Sequence, residues 1–303
     1  MKKLRILVSL ITKNNDFQIE QAASAGSAAR QLGVELDIQF ADSDAITQST
    51  QLVKAAQLEQ QLRPDGIVFE PVGGTAHPQA AKAAVAAGIA WGVLNREADY
   101  LSELRKNAKV PVFSIGSDHK EIGKIQGQQF CALLPRGGSM IYLQGPSENP
   151  AAKDRGLGMQ TALRSDIQVT ALRGQWTEES AYKAVTSWLK LNVSHKVSFS
   201  LVGAQNDAMA MGARKAFQDV VDTDERAQWL SLPFTGVDGL LKTGQSWVRN
   251  GSLRATVVVS PHAGPAITML SQALQSGTAV PEKSFTTAQS FPTLEKLTKQ
   301  PAN

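Results

Sequence analysis

A doubly wound α/β fold divided into two parallel-sheet halves is what this sequence predicts, and three observations carry that expectation. Short runs of Val, Ile and Leu alternate with longer segments of helical periodicity along all 303 residues. Several runs, such as Ile6-Leu7-Val8 and Ile67-Val68-Phe69, are continuously apolar, as central strands buried on both faces require. Each strand–helix unit takes roughly thirty residues, the length of a right-handed parallel crossover.

The first strand is expected over Arg5–Ile11 and the first helix over Gln18–Leu32, where Ile19, Ala22, Ala23, Ala29 and Leu32 fall near 3.6-residue spacing. Strands follow at Glu35–Phe40, Gly66–Phe69, Ala90–Leu94 and Val112–Ile115, with helices at Thr47–Gln61 and Pro78–Ala87 between them. A second series has strands at Ser139–Leu143, Gln168–Leu172, Val197–Val202, Phe234–Val237 and Arg254–Val259. Its helices are expected at Lys120–Leu134, Ala151–Leu163, Glu179–Leu191, Asp207–Phe217 and Leu240–Asn250. About ten strands are too many for one small sheet, so the chain divides, most naturally near Gly116-Ser117-Asp118. A last helix, Pro261–Gln275, and a short segment, Ser284–Gln289, remain after the second set and cross back. The expected halves are therefore residues 1–115 plus about 261–283, and 116–260 plus about 284–303.

Composition narrows the function. Apolar residues at 42% and charged residues at 19% are ordinary for a globular protein and exclude a mostly disordered or collagen-like chain. The 31 Lys and Arg against 27 Asp and Glu leave a net charge of only +4, without the basic stripe of a dedicated nucleic-acid binder. The densest basic run, Lys2, Lys3 and Arg5, is short. One cysteine, Cys131, excludes an internal disulfide, and its place beside Phe130 and Leu133 predicts a buried apolar role. No window approaches the length of a membrane-spanning helix. The opening Leu4–Ile11 is broken by Ser9 and lacks a small-residue cleavage site, so it is expected to be a first strand and not a signal peptide.

Ligands of open parallel sheets bind beyond the carboxyl ends of the strands, and those positions here are polar. After successive strands come Asn14-Asn15-Asp16-Phe17, Glu70-Pro71 and Asn95-Arg96-Glu97 in the first half. The second half offers Gln144 with Asn149 and Arg155, then Gln175-Trp176, Gln205-Asn206-Asp207 and Asp238-Gly239. Forked Asn, Asp and Arg groups suit adjacent hydroxyls, and an aromatic face suits the C–H side of a sugar ring. Asn15 and Asn206 could equally be helix caps, and Arg96 with Glu97 a surface ion pair. Other chemistry is thinly supported. Gly156-Leu157-Gly158 lies inside a helix and is no dinucleotide fingerprint, and phosphate-loop and nucleophile-elbow motifs are missing from the sequence. His77, His119, His195 and His262 stand far apart and are expected in loops or on the surface; Trp91, Trp188, Trp229 and Trp247 are expected in the core. No metal ligands and no cofactor are expected.

These residues resemble a known family. Asn14-Asn15-Asp16-Phe17, Asn95-Arg96, Leu143-Gln144-Gly145 with Arg155-Gly156, Ala204-Gln205-Asn206-Asp207-Ala208-Met209-Ala210-Met211-Gly212 and Gly236-Val237-Asp238-Gly239 look like the type I periplasmic binding proteins. The likeness is to their ribose-binding branch, which includes the ligand-binding half of lactose-repressor-type regulators, and runs from about residue 5 to 290. The resemblance implies two flavodoxin-like lobes joined by a three-crossover hinge, with a ligand held in the cleft without being altered. It implies Asn15, Phe17, Gln18, Glu70, Asn95, Arg96, Arg155, Trp176, Asn206 and Asp238 as ligand contacts. Gln18 stands where that branch carries a second aromatic, Glu70 where it carries Asn, Asn95 where it carries Asp, and Val259-Ser260 where a glutamine is expected. These departures move an acidic group and remove a stacking face, favouring another sugar, a sugar derivative or a ligand with a cationic group over ribose.

The same resemblance implies a monomer delivering a sugar or polyol to the permease of an ATP-binding-cassette transporter from the periplasm or cell envelope, and no direct contact with nucleic acid. One alternative is a cytoplasmic ligand sensor without a DNA-binding domain, the expectation if Met1 is the true start. The other is a cleft enzyme using Glu70 and Asp238 as acid and base, for which the sequence supplies no nucleophile.

Overall fold

The computed structural model describes residues 3–72, 76–96, 98–191 and 197–298. The first compact unit comprises residues 1–117 and 261–286, the second residues 118–260 and 287–303. The chain therefore passes from one unit to the other three times, after Ser117, Ser260 and Thr286.

The first unit is built from β1 (Arg5–Leu10), α1 (Asp16–Leu32), β2 (Glu35–Phe40), α2 (Ala45–Gln57), β3 (Gly66–Phe69), α3 (Pro78–Ala86), β4 (Ala90–Leu94), α4 (Leu101–Lys106) and β5 (Val112–Ser117). The second unit follows with α5 (His119–Leu133), β6 (Gly138–Gln144), α6 (Pro150–Ala162), β7 (Ile167–Arg173), α7 (Glu178–Leu189), β8 (Phe199–Ala204), α8 (Asp207–Gln218), α9 (Thr223–Ser231), β9 (Phe234–Asp238), α10 (Gly244–Arg249) and β10 (Ala255–Val259). The chain then returns to the first unit as α11 (Ala263–Ser276) and β11 (Lys283–Thr286), and ends in the second as β12 (Ala288–Phe291) and α12 (Leu294–Thr298).

Each unit holds one six-stranded sheet, ordered β11-β5-β4-β3-β1-β2 in the first and β12-β10-β9-β8-β6-β7 in the second. All pairings are parallel except β10 with β12. Each order turns back at the first strand of its unit, the doubly wound arrangement whose switch point lies between strands one and three. Helices cover both faces. In the first unit Ile6, Val8 and Leu10 pack toward α1 and α11, while Leu7, Ile67 and Trp91 pack with Leu52 of α2 and Ala80, Ala81 and Ala84 of α3. In the second, Ile141 and Leu143 face α7 and α8, and Met140 and Tyr142 face α5 and α6. A large apolar side chain buried as fully as Phe69 or Phe113 contributes about 1.5–3 kcal/mol.

Some local expectations need correction. Leu240–Asn250 is helical only from Gly244, because Asp238 and Gly239 take positive φ and the chain must turn before a helix can start. Thr47–Gln61 stops at Gln57, where Leu58 turns extended. α4, α9 and α12 were not foreseen. Trp229, expected in the core, lies there on the unexpected α9, stacked on Phe217 at 4.6 Å. Cys131 is half-buried, not buried, its Sγ donating to the Ala162 carbonyl at 3.3 Å. His77 and His262 do sit in loops, each just before a helix, but are buried, His77 bonding to Gln48 and His262 to Gln21 and Ser117. His195 and Glu97 lie outside the described residues.

Candidate functional site

In the first unit, six predicted site residues gather at the carboxyl ends of β1, β3 and β4. Asn15 caps α1, its Oδ1 accepting from the Gln18 N–H at 3.2 Å. Phe17, half-buried in the first turn, meets the His262 ring edge-on at 5.8 Å. Gln18 is buried and used internally: its Oε1 accepts from Ile11 N–H at 3.0 Å and its Nε2 donates to Glu70 at 2.8 Å. Glu70 accepts from three amides, those of Gln18, Gln21 (3.4 Å) and Asn95 (3.0 Å). Burial pushes its carboxyl above the usual carboxylate range, against the amide bonds and the nearby Arg96 charge. Asn95 sits at φ 55°, a left-handed backbone that non-glycine residues seldom adopt. Its Oδ1 and the Arg96 Nε are shielded from solvent with no hydrogen-bond partner among the described residues.

Beneath Glu70 runs a connection that the sequence did not disclose. Gln21 Oε1 accepts from the backbone N–H groups of His262 and Ala263, both at 2.8 Å, which makes its Nε2 the donor toward His262 Nδ1 at 2.9 Å. The imidazole proton therefore sits on Nε2, which donates to Ser117 Oγ at 2.9 Å. Burial lowers the His262 pKa to about 4, so the ring is neutral at pH 7. The only sequence signal for Gln21 was its place one turn after Gln18, on the same helical face.

In the second unit, four predicted residues gather at the carboxyl ends of β6 to β9. Arg155, buried on α6, donates to the Gln205 carbonyl and lies 5.5 Å from the Trp176 ring centroid. Its Nε has no hydrogen-bond partner among the described residues. The Trp176 indole covers Gly145 so closely that a Cβ there would stand 2.2 Å from Cζ2. Trp176 is at φ 65° and Asp238 at φ 103°. Asn206 caps α8 by accepting from Met209 N–H at 2.9 Å, and its Nδ2 donates to the Trp176 carbonyl at 2.9 Å. Both asparagine caps are thus real. Asn206 also fixes the backbone that presents the indole.

Asp207 and Gln205 organise this cluster from below. Asp207 accepts from Thr256 Oγ1 at 2.7 Å and Gly239 N–H at 2.8 Å, pinched where only Gly236 and Gly244 leave room. Burial, and then the Asp238 charge, push its carboxyl well above the usual range. Arg155 is lowered by burial and raised by Asp238, Tyr142 and Asp207. Gln205 accepts from Gly145 N–H at 2.8 Å and donates to the Ala152 carbonyl at 2.9 Å, locking the loop under Trp176 to the start of α6. Among the described residues no group of His, Cys, Asp and Glu could hold a metal ion.

Each unit therefore offers an aromatic face, a guanidinium, a carboxylate and primary amides at its strand ends. Three of those positions, Asn95, Trp176 and Asp238, hold backbone conformations that cost of order 1–3 kcal/mol and concentrate at functional sites.

Residues 6–279 match the family described as a periplasmic binding protein domain. The ribose import binding protein of Escherichia coli is 28% identical over 265 residues, spanning 86% of this chain and 81% of that protein. The putative rhizopine-binding protein of Rhizobium meliloti is 28% identical over 193 residues, 61% of this chain and 58% of the other. Among solved structures, a periplasmic solute binding protein of an ABC transporter from Actinobacillus succinogenes, with bound D-allose, has a TM-score of 0.82 at 20% identity. That likeness covers 98% of this chain and 100% of the other. The myo-inositol binding protein of Caulobacter has a TM-score of 0.74 at 18% identity, over 98% and 95% of the two chains. At such identities the structural likeness carries the fold.

Proposed function

Because this chain belongs to the periplasmic binding protein domain family, we propose that it captures a small polar solute, a sugar or sugar derivative, and passes it unchanged to an ATP-binding-cassette transporter. The observation that carries this reading is the matched chemistry of the two strand-end clusters. Phe17 and Trp176 offer ring faces; Arg96, Arg155, Glu70, Asn95 and Asp238 offer forked donors and acceptors. Orphaned polar atoms on Asn95, Arg96 and Arg155 are groups that a ligand's hydroxyls would satisfy. Asn15, Gln18 and Asn206 act mainly through what they hold: the start of α1, Glu70 and the Trp176 backbone.

A solute stabilises whichever state of the chain it binds more tightly, by its differential affinity for that state. The likeness to a ribose import binding protein and to a periplasmic solute binding protein of an ABC transporter supports work on the outer side of the cytoplasmic membrane over the cytoplasmic sensor reading. Glu70 in place of an amide favours a ligand with an amine or an additional donor at that point. Thermal melting of the full chain against pentoses, hexoses, polyols and amino sugars tests the proposal, since a ligand at a hundred times its Kd stabilises by about 2.7 kcal/mol. One class should raise the melting temperature, and mass spectrometry should recover it intact. No shift with any class, or a converted ligand, would overturn the proposal.

A further inference from the structure

At the opposite edge of the second sheet, where its strands begin, lies a cavity of about 700 Å³. Three arginines line it: Arg136 from the turn before β6, Arg214 from α8 and Arg254 at the head of β10. The hydroxyl-bearing Ser200, Ser231 and Ser252 line it too. Among the described residues no Asp or Glu contributes to the wall, and no salt bridge involves any of the three guanidinium groups. Asp166, which lies against Gly137 at the rim, is already held by Arg164 through two bonds of 3.0 and 2.6 Å. Arg214 is half-buried over the Phe234 ring at 5.4 Å, so its cation is partly desolvated and fixed in direction.

The bland explanation is that these arginines face helix carboxyl ends, since α5, α9 and α10 all finish at this edge. Each such end carries about half a negative charge. Three of them offset roughly half of the positive charge and leave a net cationic hollow.

We infer that this cavity is a second binding site, for a small polyvalent anion bearing phosphate or carboxylate groups. Guanidinium forks match both oxyanion geometries bidentately, and the volume falls within the range of small-molecule sites, about 300–1,000 Å³. An anion there relieves the mutual repulsion of three cationic residues that line one cavity. The site is separate from the strand-end cluster of the same sheet, so its occupancy does not depend on the sugar-binding proposal.

Calorimetric titration of the full chain with inorganic pyrophosphate, at constant ionic strength, tests the inference. A parallel titration with citrate separates phosphate from carboxylate ligands. Saturable binding by at least one of them is expected, weakened at least tenfold by R254Q and by R136Q and unchanged by R30Q, which removes an exposed guanidinium from α1 of the first unit. Arg136 is exposed on a turn, so R136Q reads out even if R254Q perturbs folding. Absence of saturable binding by both anions, binding that survives R136Q and R254Q together, or binding weakened as much by R30Q would each overturn the assignment.

Discussion

The Nε2 of His262 lies 2.9 Å from the Oγ of Ser117, joining the last residue of the first unit's opening segment to the second residue of its returning segment. Gln21 grips the opposite side of the same ring and the two backbone N–H groups that begin α11. Thr286, the last residue before the third passage, pairs in register with Ser117. One neutral imidazole thus ties down two of the three places where the chain leaves or enters this unit, and the third lies beside them.

That ring makes the first unit sensitive to acid. Its pKa of about 4 lies below the ordinary 6.5, so between those values the unfolded chain takes up a proton that the folded chain refuses. The His262 contribution is intact above pH 6.5 and is lost as pH falls toward 4, roughly 3 kcal/mol over the full window. H262Q should cost about 1–3 kcal/mol at pH 7.5 through its broken hydrogen bonds. The gap to wild type should narrow between pH 6.5 and 4.5 in urea denaturation; a constant gap would refute the assignment.

Glu70 works with the opposite sign. Burial raises its pKa above 4.5, so the folded state holds a proton that the unfolded chain releases, and stability falls as pH rises through the shifted value. All three direct partners are amide donors, so E70Q places an NH₂ group against at least one of them, a penalty of about 1–3 kcal/mol. Relative to wild type, E70Q should look worst near pH 4.5 and improve toward pH 8, because only wild type must bury a charge there. Melting curves at the two pH values check this, and an E70Q deficit that grows with pH would contradict it.

How much of this was legible beforehand follows from the kind of interaction. Strands such as Gly66–Phe69 and Ala90–Leu94 were readable because a strand buried on both faces must be apolar throughout, and the sequence writes that as an uninterrupted run. Strand-end polarity drew attention to Glu70 and Asp238 for a similar reason, since both follow or close apolar strands, whereas Arg155 lies on α6. Gln21 and His262 are 241 residues apart, and nothing local marks either as buried. α4 and α9 are short and largely polar, with few residues turned inward, so periodicity had little to register. Trp176 was found as an aromatic near a strand end. Its left-handed backbone was not, because only tertiary bonds such as that from Asn206 stabilise such a conformation.

Arg155 is the counter-charge for two carboxylates, Asp207 and Asp238, which raise its pKa against burial. R155A removes that charge and leaves Asp207 buried beside Asp238. We expect a loss of about 3–5 kcal/mol in stability and, where the guanidinium meets a ligand oxygen, about 2–4 kcal/mol in affinity. D238N in the R155A background should restore at least about 1 kcal/mol of stability, because it removes the repulsion, while leaving affinity low. A double variant no more stable than R155A would show that the two acids do not sense each other. Calorimetry showing unchanged affinity in R155A would remove Arg155 from the ligand's contacts.

Gly145 gives the sharpest test of the indole's role. A methyl group there would meet Trp176 Cζ2 at 2.2 Å and Cε2 at 2.5 Å, far inside contact distance, so G145A must push the ring away from the loop and disturb its place over Arg155. The site of substitution keeps ordinary backbone angles and its N–H bond to Gln205, so the damage is steric and local, about 1–3 kcal/mol in stability. If the Trp176 face packs on the ligand, saturating ligand should alter indole fluorescence in wild type. That change should disappear in W176F and diminish in G145A together with affinity. A ligand-induced signal that survives W176F, or a G145A protein that binds as tightly as wild type, would place the ligand away from the indole.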